Sequence, residues 1–287
     1  MSQPAAPRRR RSTALKLATL LRAAAILVVC VVVFFPVYWM LLSSIQPSSY
    51  SLSFPPPLLP KGFNWEAYGQ LFGDKPIAQW LVTSTIVATL TVIGTLVFVI
   101  PAAYALSALR WTGRSAFGLL LLFTQIMPAA IVVAPVLSLY RSFGWTNNLA
   151  ALALLHTAFV VPLCAWVLKS AFDAVPKEVV EAALIDGCNR LGVLPYIYLP
   201  LVRPGLVAVS VIAFFASWGE FLFASTLIID NGLYTASLGI ATLMTQLDTP
   251  LFELMAAGVV FSVLPVVFYM VIQRHVLRGL TAGSVKG

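Results

Sequence analysis

Hydrophobic positions in this chain neither alternate nor keep to one helical face. They come as long unbroken runs separated by short polar segments. Residues 23–42, 76–109, 115–140, 142–168 and 254–273 contain no Asp, Glu, Lys or Arg, and 204–229 is interrupted only by Glu220. A helix needs about 20 such residues to cross a bilayer, and a membrane barrel would alternate apolar and polar positions instead. The pattern therefore predicts an all-α polytopic membrane protein with six transmembrane helices at about 23–45, 77–109, 115–140, 148–169, 204–229 and 254–273. A basic tail (1–22) precedes this 23–278 domain and a short tail (279–287) follows it. Pro101, Pro128, Pro135, Pro162 and Pro265 fall inside the runs, where a missing N–H permits a bend.

Between the fourth and fifth runs, residues 171–200 form a charged island. Val180, Ala183, Leu184, Gly187 and Leu191 recur at helical spacing, with Lys177, Glu178, Glu181, Asp186 and Arg190 off that stripe. Pro176 suits a helix start. Gly187 suits the left-handed residue that ends a helix, and Asn189 suits the cap of another. The expectation is helix, sharp turn, helix at the membrane surface, with small residues (Ala182, Ala183, Gly187) at its tip. An interfacial linker and a knob that enters a cleft on another protein are both open on this pattern.

Composition agrees with the runs. Of 287 residues, 60% are hydrophobic and 10% charged, and mean hydropathy is +0.93; a soluble domain carries about 25% charged residues. Charge then orients the spans. With the N-terminus inside, Arg8, Arg9, Arg10, Arg11, Lys16, Arg22, Arg110, Arg114, Lys169, Lys177, Arg190, Arg203, Arg274, Arg278 and Lys286 face the cytoplasm, and only Lys61, Lys75 and Arg141 lie outside. The bias predicts cytoplasmic termini and a cytoplasmic island. It also makes the net charge of +8 a matter of topology and anionic lipid, with no nucleic-acid partner. The apolar start is too long for a signal peptide and no small-x-small cleavage site follows it. Cys30, Cys164 and Cys188 have no metal or redox spacing and read as packing residues.

A few polar or aromatic residues inside the runs are candidates for a translocation pathway: Glu220, Trp218, Gln125, Tyr104 and Trp166. A carboxylate near a span centre costs about 2.5–3.5 kcal/mol on insertion scales, so Glu220 must face protein or water. A structural carboxylate and a pathway residue remain alternatives. His156, mid-run, reads as a hydrogen-bonded packing histidine.

The island also carries a resemblance. Glu181, Ala182, Ala183, Gly187, Ile197, Leu199 and Pro200 stand at the spacing of the cytoplasmic EAA signature of bacterial ATP-binding-cassette importer permeases. The stretch from Ala102 to Leu106 is similar to that family's Ala-Ala-Tyr-Ala-Leu element. Residues 144–148 resemble its Gly-Leu-x-Asn-Thr turn with Trp145 in place of Leu. Ser217–Phe221 resembles Trp-Asn-Glu-Phe, with Gly219 in place of Asn. The final nonamer, 279–287, resembles the C-terminus of the maltose-type carbohydrate permeases.

The resemblance implies a function. Glu181, Ala182, Ala183, Asp186, Gly187, Ile197, Leu199 and Pro200 would form the coupling-helix loop that seats on an ATPase. Gly283, Val285, Lys286 and Gly287 would reach the same partner. The chain would be a permease subunit in the inner membrane, working with a homologous second permease, an ATPase dimer and an extracytoplasmic solute-binding protein. It would not itself be an enzyme. No Gly-x-x-x-x-Gly-Lys-Ser/Thr loop is present, so no cofactor is expected on this chain and ATP-Mg would sit on the partner. The tail points to a sugar as solute. Import of an amino acid or peptide is the alternative, followed by an ion-coupled secondary transporter.

Overall fold

The computed structural model describes residues 9–51, 53–55, 57–245 and 250–282. The expected tail residues Gly283, Val285, Lys286 and Gly287 lie outside them. Among the described residues all regular structure is helical. The elements are α1 (Arg9–Ile45), α2 (Ser48–Ser51), α3 (Glu66–Asp74), α4 (Ile77–Ser107), α5 (Arg114–Thr124), α6 (Ala129–Ser142) and α7 (Leu149–Asp173). There follow α8 (Lys177–Ile185), α9 (Arg190–Val193), α10 (Leu199–Leu201), α11 (Arg203–Trp218), α12 (Leu222–Leu227), α13 (Ala236–Thr245) and α14 (Leu251–Ala282). A π-helical segment, Leu194–Tyr198, joins α9 to α10.

Four stretches are long and apolar enough to cross a membrane: Ala18–Ile45, Ile77–Ser107, Leu149–Asp173 and Leu251–Gln273. Up to six result if each of two bent pairs is one span. The expected continuous helix over 115–140 is broken. α5 stops at Thr124, α6 starts after Pro128, and the axis turns by 95°. The expected helix over 204–229 is broken too. α11 ends at Trp218 after 16 residues, and α12 begins only at Leu222. α11 meets the preceding Arg190–Leu201 segment at 79°. An uncharged run reports the medium around the backbone, not its straightness, because freed backbone groups can be satisfied by neighbouring protein.

The chain divides into two compact units. In the first, which runs to Gly69 and includes Pro250–Val259, the Tyr38 hydroxyl donates to the Leu58 carbonyl at 2.5 Å. Ser44 Oγ and the Tyr68 hydroxyl lie 2.9 Å apart. Leu20, Ile26, Val32 and Phe34 of α1 are 64–67% exposed, a surface suited to lipid and not to water.

The second unit, residues 70–249 and 260 onward, is built on α4 and α7. Val87 of α4 packs with Leu152 and Leu155 of α7 and with Leu227 and Ile228. Further along, Val99, Ala103 and Tyr104 pack with Cys164, Ala165, Leu168 and Phe172, and with Val209 of α11. Small residues allow the close crossings typical of helices in lipid. A Cβ on Gly205 would stand 2.7 Å from Ala171 Cβ, and one on Gly94 would stand 2.8 Å from Thr157 Oγ1.

Candidate functional site

The charged island folds as its sequence signals require. Pro176 is the cap and Lys177 the first residue of α8, so the proline sits one position earlier than expected. α8 ends in a left-handed Gly187 (φ 91°). The Gly187 N–H donates to the Leu184 carbonyl at 3.2 Å and the Cys188 N–H to the Ala183 carbonyl at 3.0 Å. This pair of bonds is a Schellman motif, in which an αL residue satisfies the last carbonyls of a helix. Asn189 then accepts from the Gly192 N–H at 2.6 Å and caps α9.

The stripe of this island is left mostly uncovered by the rest of the described chain. Only Val180 and Ala183 are partly covered; Leu184 is 39% and Leu191 79% exposed. Ile185 (84%) and Tyr196 (75%) are more exposed than an apolar side chain should be on a finished surface. Glu181, Ala182, Asp186 and Gly187 are exposed beside them. The island thus presents a small-residue turn flanked by uncovered apolar side chains. Ile197 and Leu199 are half-buried and Pro200 is exposed.

The opposite face is anchored. Val193, Tyr198 and Val202 are buried against α4 and α7. The Tyr104 hydroxyl donates to the Arg190 carbonyl at 2.5 Å, and its ring meets Tyr198 edge-on, 5.6 Å between centroids. Phe172 lies 5.1 Å from the same Tyr198 ring. Nearby, the Ser107 hydroxyl donates to Asp173 Oδ1 at 2.6 Å, and Lys169 pairs with Asp173 Oδ2 at 2.5 Å. The ends of α4 and α7 are tied at the level where the island is attached.

A second cluster lies inside the helical bundle. His156 Nε2 is 3.0 Å from Glu220 Oε2, and Nδ1 is 2.9 Å from Ser217 Oγ. Thr91 Oγ1 is 3.2 Å from Ser217 Oγ. Glu220 accepts the Phe223 N–H at 2.7 Å on Oε1 and the Ala224 N–H at 3.1 Å on Oε2, which caps α12. The Ser237 hydroxyl donates to the Glu220 carbonyl at 2.6 Å. Sequence reading reached His156 and Glu220 singly. It missed their pairing, and missed Ser217 and Thr91 as members of the cluster, because the partners are 61 to 126 residues apart.

The other pathway candidates are dispersed. Trp218 is 3% exposed and stacks on Phe214, 5.6 Å between centroids, with its indole N–H unpaired among the described residues. Gln125, exposed at the α5–α6 break, donates to the Phe159 carbonyl at 2.9 Å. Trp166 donates to the Gly118 carbonyl at 3.2 Å. Tyr104 is 7% exposed. Among the described residues no group of three or more His, Cys, Asp or Glu is placed to hold a metal ion.

Residues 99–282 match the family of binding-protein-dependent transport system inner membrane components. This chain belongs to that family. The matched region holds the Schellman-capped island, its Tyr104 anchor and the His156–Glu220 pair. As a family member the chain is a transporter permease subunit and a multi-pass membrane protein.

Named relatives extend over most of the chain. It is 32% identical over 254 residues to a sulfoquinovosyl glycerol transport system permease protein of Agrobacterium fabrum, covering 88% of this chain and 89% of that one. It is 31% identical to a trehalose/maltose transport system permease protein of Thermococcus litoralis, covering 88% and 91%. A trehalose transport system permease protein of Mycobacterium tuberculosis is 29% identical, covering 88% and 92%. The fold is similar to that of a bacterial ABC transporter involved in the import of the acidic polysaccharide alginate. That structure has a TM-score of 0.75 and 23% identity and covers 95% of this chain and 99% of that one.

Proposed function

We propose that this inner membrane component is the permease subunit of an ATP-driven, binding-protein-dependent sugar importer. The observation that carries the reading is the uncovered island. Ile185, Leu191 and Tyr196 are 75–84% exposed around a glycine turn whose other face is fixed to α4 and α7. An apolar, small-tipped surface on an otherwise anchored element is built to receive a partner. The partner is an ATPase subunit on the cytoplasmic side, where the excess of Lys and Arg places the loop. Glu181, Ala182, Ala183, Asp186 and Gly187 form the contact, and Ile197, Leu199 and Pro200 hold the segment behind it. The tail residues Gly283, Val285, Lys286 and Gly287 contact the same ATPase.

A homologous second permease completes the passage, and an extracytoplasmic binding protein delivers the solute. The relatives that carry sugar names support a carbohydrate cargo. ATP-Mg binds to the ATPase. Its closure moves the loop, and the loop biases the helices between inward- and outward-open states through unequal affinity for the two ATPase states.

The test is uptake into proteoliposomes that contain the two permeases and the ATPase, with binding protein and a panel of sugars outside. Accumulation that needs internal ATP and the ATPase supports the reading. Accumulation driven by an ion gradient without the ATPase overturns it.

A further inference from the structure

The island reaches the bundle through few polar contacts, and one of them has the geometry of a joint. Tyr104 lies on α4 three residues after Pro101, within the α4 helix. Its hydroxyl crosses to the Arg190 carbonyl at 2.5 Å, the first residue of α9 and three residues past Gly187. Its ring packs edge-on against Tyr198, the last residue of the π-helical segment, and Tyr198 packs on Phe172 of α7. One side chain therefore touches the segment at two points, by a hydrogen bond at Arg190, where α9 starts, and by a ring contact at Tyr198, where the π-helical segment ends. The stretch between them, α9 and the π-helical segment, is tied to α4 at its start and at its end.

The surroundings make this joint stiff on one side and not on the other. On the bundle side, Ala103, Ala165, Leu168 and Phe172 are at most 1% exposed. Ser107 and Lys169 both bind Asp173, which holds α4 to α7 one turn beyond Tyr104. On the loop side, no residue of α8 is buried. A π-helical turn closes its hydrogen bonds one residue further along than an α-helical one and occurs mostly as a single-turn bulge, frequently at functional sites. Here it lies between Val193 and Leu199, in the segment that Tyr198 clamps.

We propose that Tyr104 is a positioning residue that transmits displacement of the 177–200 island to the α4–α7 pair, and so sets how much transport each ATP hydrolysed produces. The proposal rests on the reading of this chain as an importer permease. It gives Tyr104 a role other than contact with solute. The hydroxyl holds the island's backbone to α4, so a push on the tip moves α4 rather than bending the loop. The ring alone fills the same space without fixing the distance to the Arg190 carbonyl.

Tyr104→Phe removes that hydroxyl and little else. In the reconstituted complex the variant is expected to keep its yield of assembled complex, its ATPase rate and its apparent KM for the solute. Solute imported per ATP is expected to fall about fivefold, the equivalent of a hydrogen bond worth about 1 kcal/mol. An unchanged ratio overturns the proposal, as does loss confined to the amount of assembled complex, which marks a merely structural tyrosine. A measurement without the variant keeps the test open should Tyr104→Phe not assemble. Spin labels at Ala105→Cys and Leu191→Cys, with native cysteines replaced, are expected to hold one distance in nucleotide-free and ATP-bound complexes. A distance that changes with nucleotide shows the loop moving independently of α4 and overturns the joint. Wild-type complex that transports on ATP while these tests fail leaves the importer reading standing and removes Tyr104 alone.

Discussion

His156 Nε2 stands 3.0 Å from Glu220 Oε2, and that one contact closes a chain of hydrogen bonds through the bundle. Ser217 Oγ lies between His156 Nδ1 (2.9 Å) and Thr91 Oγ1 (3.2 Å), and the Thr91 hydroxyl also reaches the Val87 carbonyl at 2.8 Å. The contacts link α4, α11 and α7 and end on the Glu220 carboxylate. That carboxylate also receives two N–H groups of the first turn of α12. Its placement offsets the cost of burying it, since a buried charge is tolerated when its lone pairs are filled.

Glu220→Ala leaves the Phe223 and Ala224 N–H groups and the histidine without their acceptor. Each buried group left unpaired costs about 1–3 kcal/mol, so the purified complex is expected to melt several degrees lower. Glu220→Gln keeps an acceptor oxygen and is expected to assemble. If Glu220→Gln assembles and melts like wild type yet does not transport, the carboxylate belongs to the translocation pathway. Uptake that tracks the remaining assembled protein assigns it to structure.

A Cβ placed on Gly187 would meet nothing within 4 Å among the described residues, and the backbone there has a φ of 91°. Substitution at this position is therefore a backbone experiment. Valine in a left-handed conformation costs roughly 1–2 kcal/mol or more, whereas asparagine tolerates it. Gly187→Val is expected to lower ATPase co-purification and uptake several-fold with normal membrane insertion, and Gly187→Asn to retain most of both. Pull-down of the ATPase with each variant checks the order; equal binding by both contradicts it.

Gly205 and Ala171 mark the crossing of α11 and α7. Alanine at 205 places two methyl groups 2.7 Å apart, an overpacking that costs typically about 1–3 kcal/mol. Gly205→Ala is expected to lower the melting temperature. Adding Ala171→Gly in the same molecule is expected to restore much of the loss, which a thermal melt of the four combinations reads directly.

Asn147 is a non-glycine residue at φ 53°, and its Oδ1 accepts from the Ile229 N–H at 2.6 Å and the Asp230 N–H at 3.0 Å. Asn147→Gly keeps the backbone conformation and loses both bonds; Asn147→Ala loses the bonds and strains the backbone. Both are expected to destabilise, alanine more, by the roughly 1–2 kcal/mol that a left-handed conformation costs a residue with a Cβ. Comparison of their unfolding midpoints tests the separation.

These residues also show how far the chain can be read from its sequence alone. Uncharged runs located the long helices α1, α4, α7 and α14, since length and the absence of charge decide them. Gly187 and Asn189 announced the two caps of the island because capping is local chemistry. The break after Thr124 was not legible, because Pro128 in an apolar run is compatible with a kinked helix as well as with a 95° turn. The end of α11 at Trp218 was hidden for a different reason. It goes with Glu220 capping α12 and with His156, 64 residues away, meeting the same carboxylate. Whether Leu184 and Leu191 are covered was not legible either: periodicity shows that a face is apolar, not which molecule covers it.

The most direct test of the central claim is cysteine labelling at Ile185, which is 84% exposed beside the glycine turn. Ile185→Cys, in a background without Cys30, Cys164 and Cys188, is treated with a membrane-impermeant thiol reagent on right-side-out and inside-out vesicles, with and without the ATPase. The account predicts reaction only from the cytoplasmic side and strong protection when the ATPase is bound. Labelling from the outer side, or equal labelling with and without the ATPase, contradicts it.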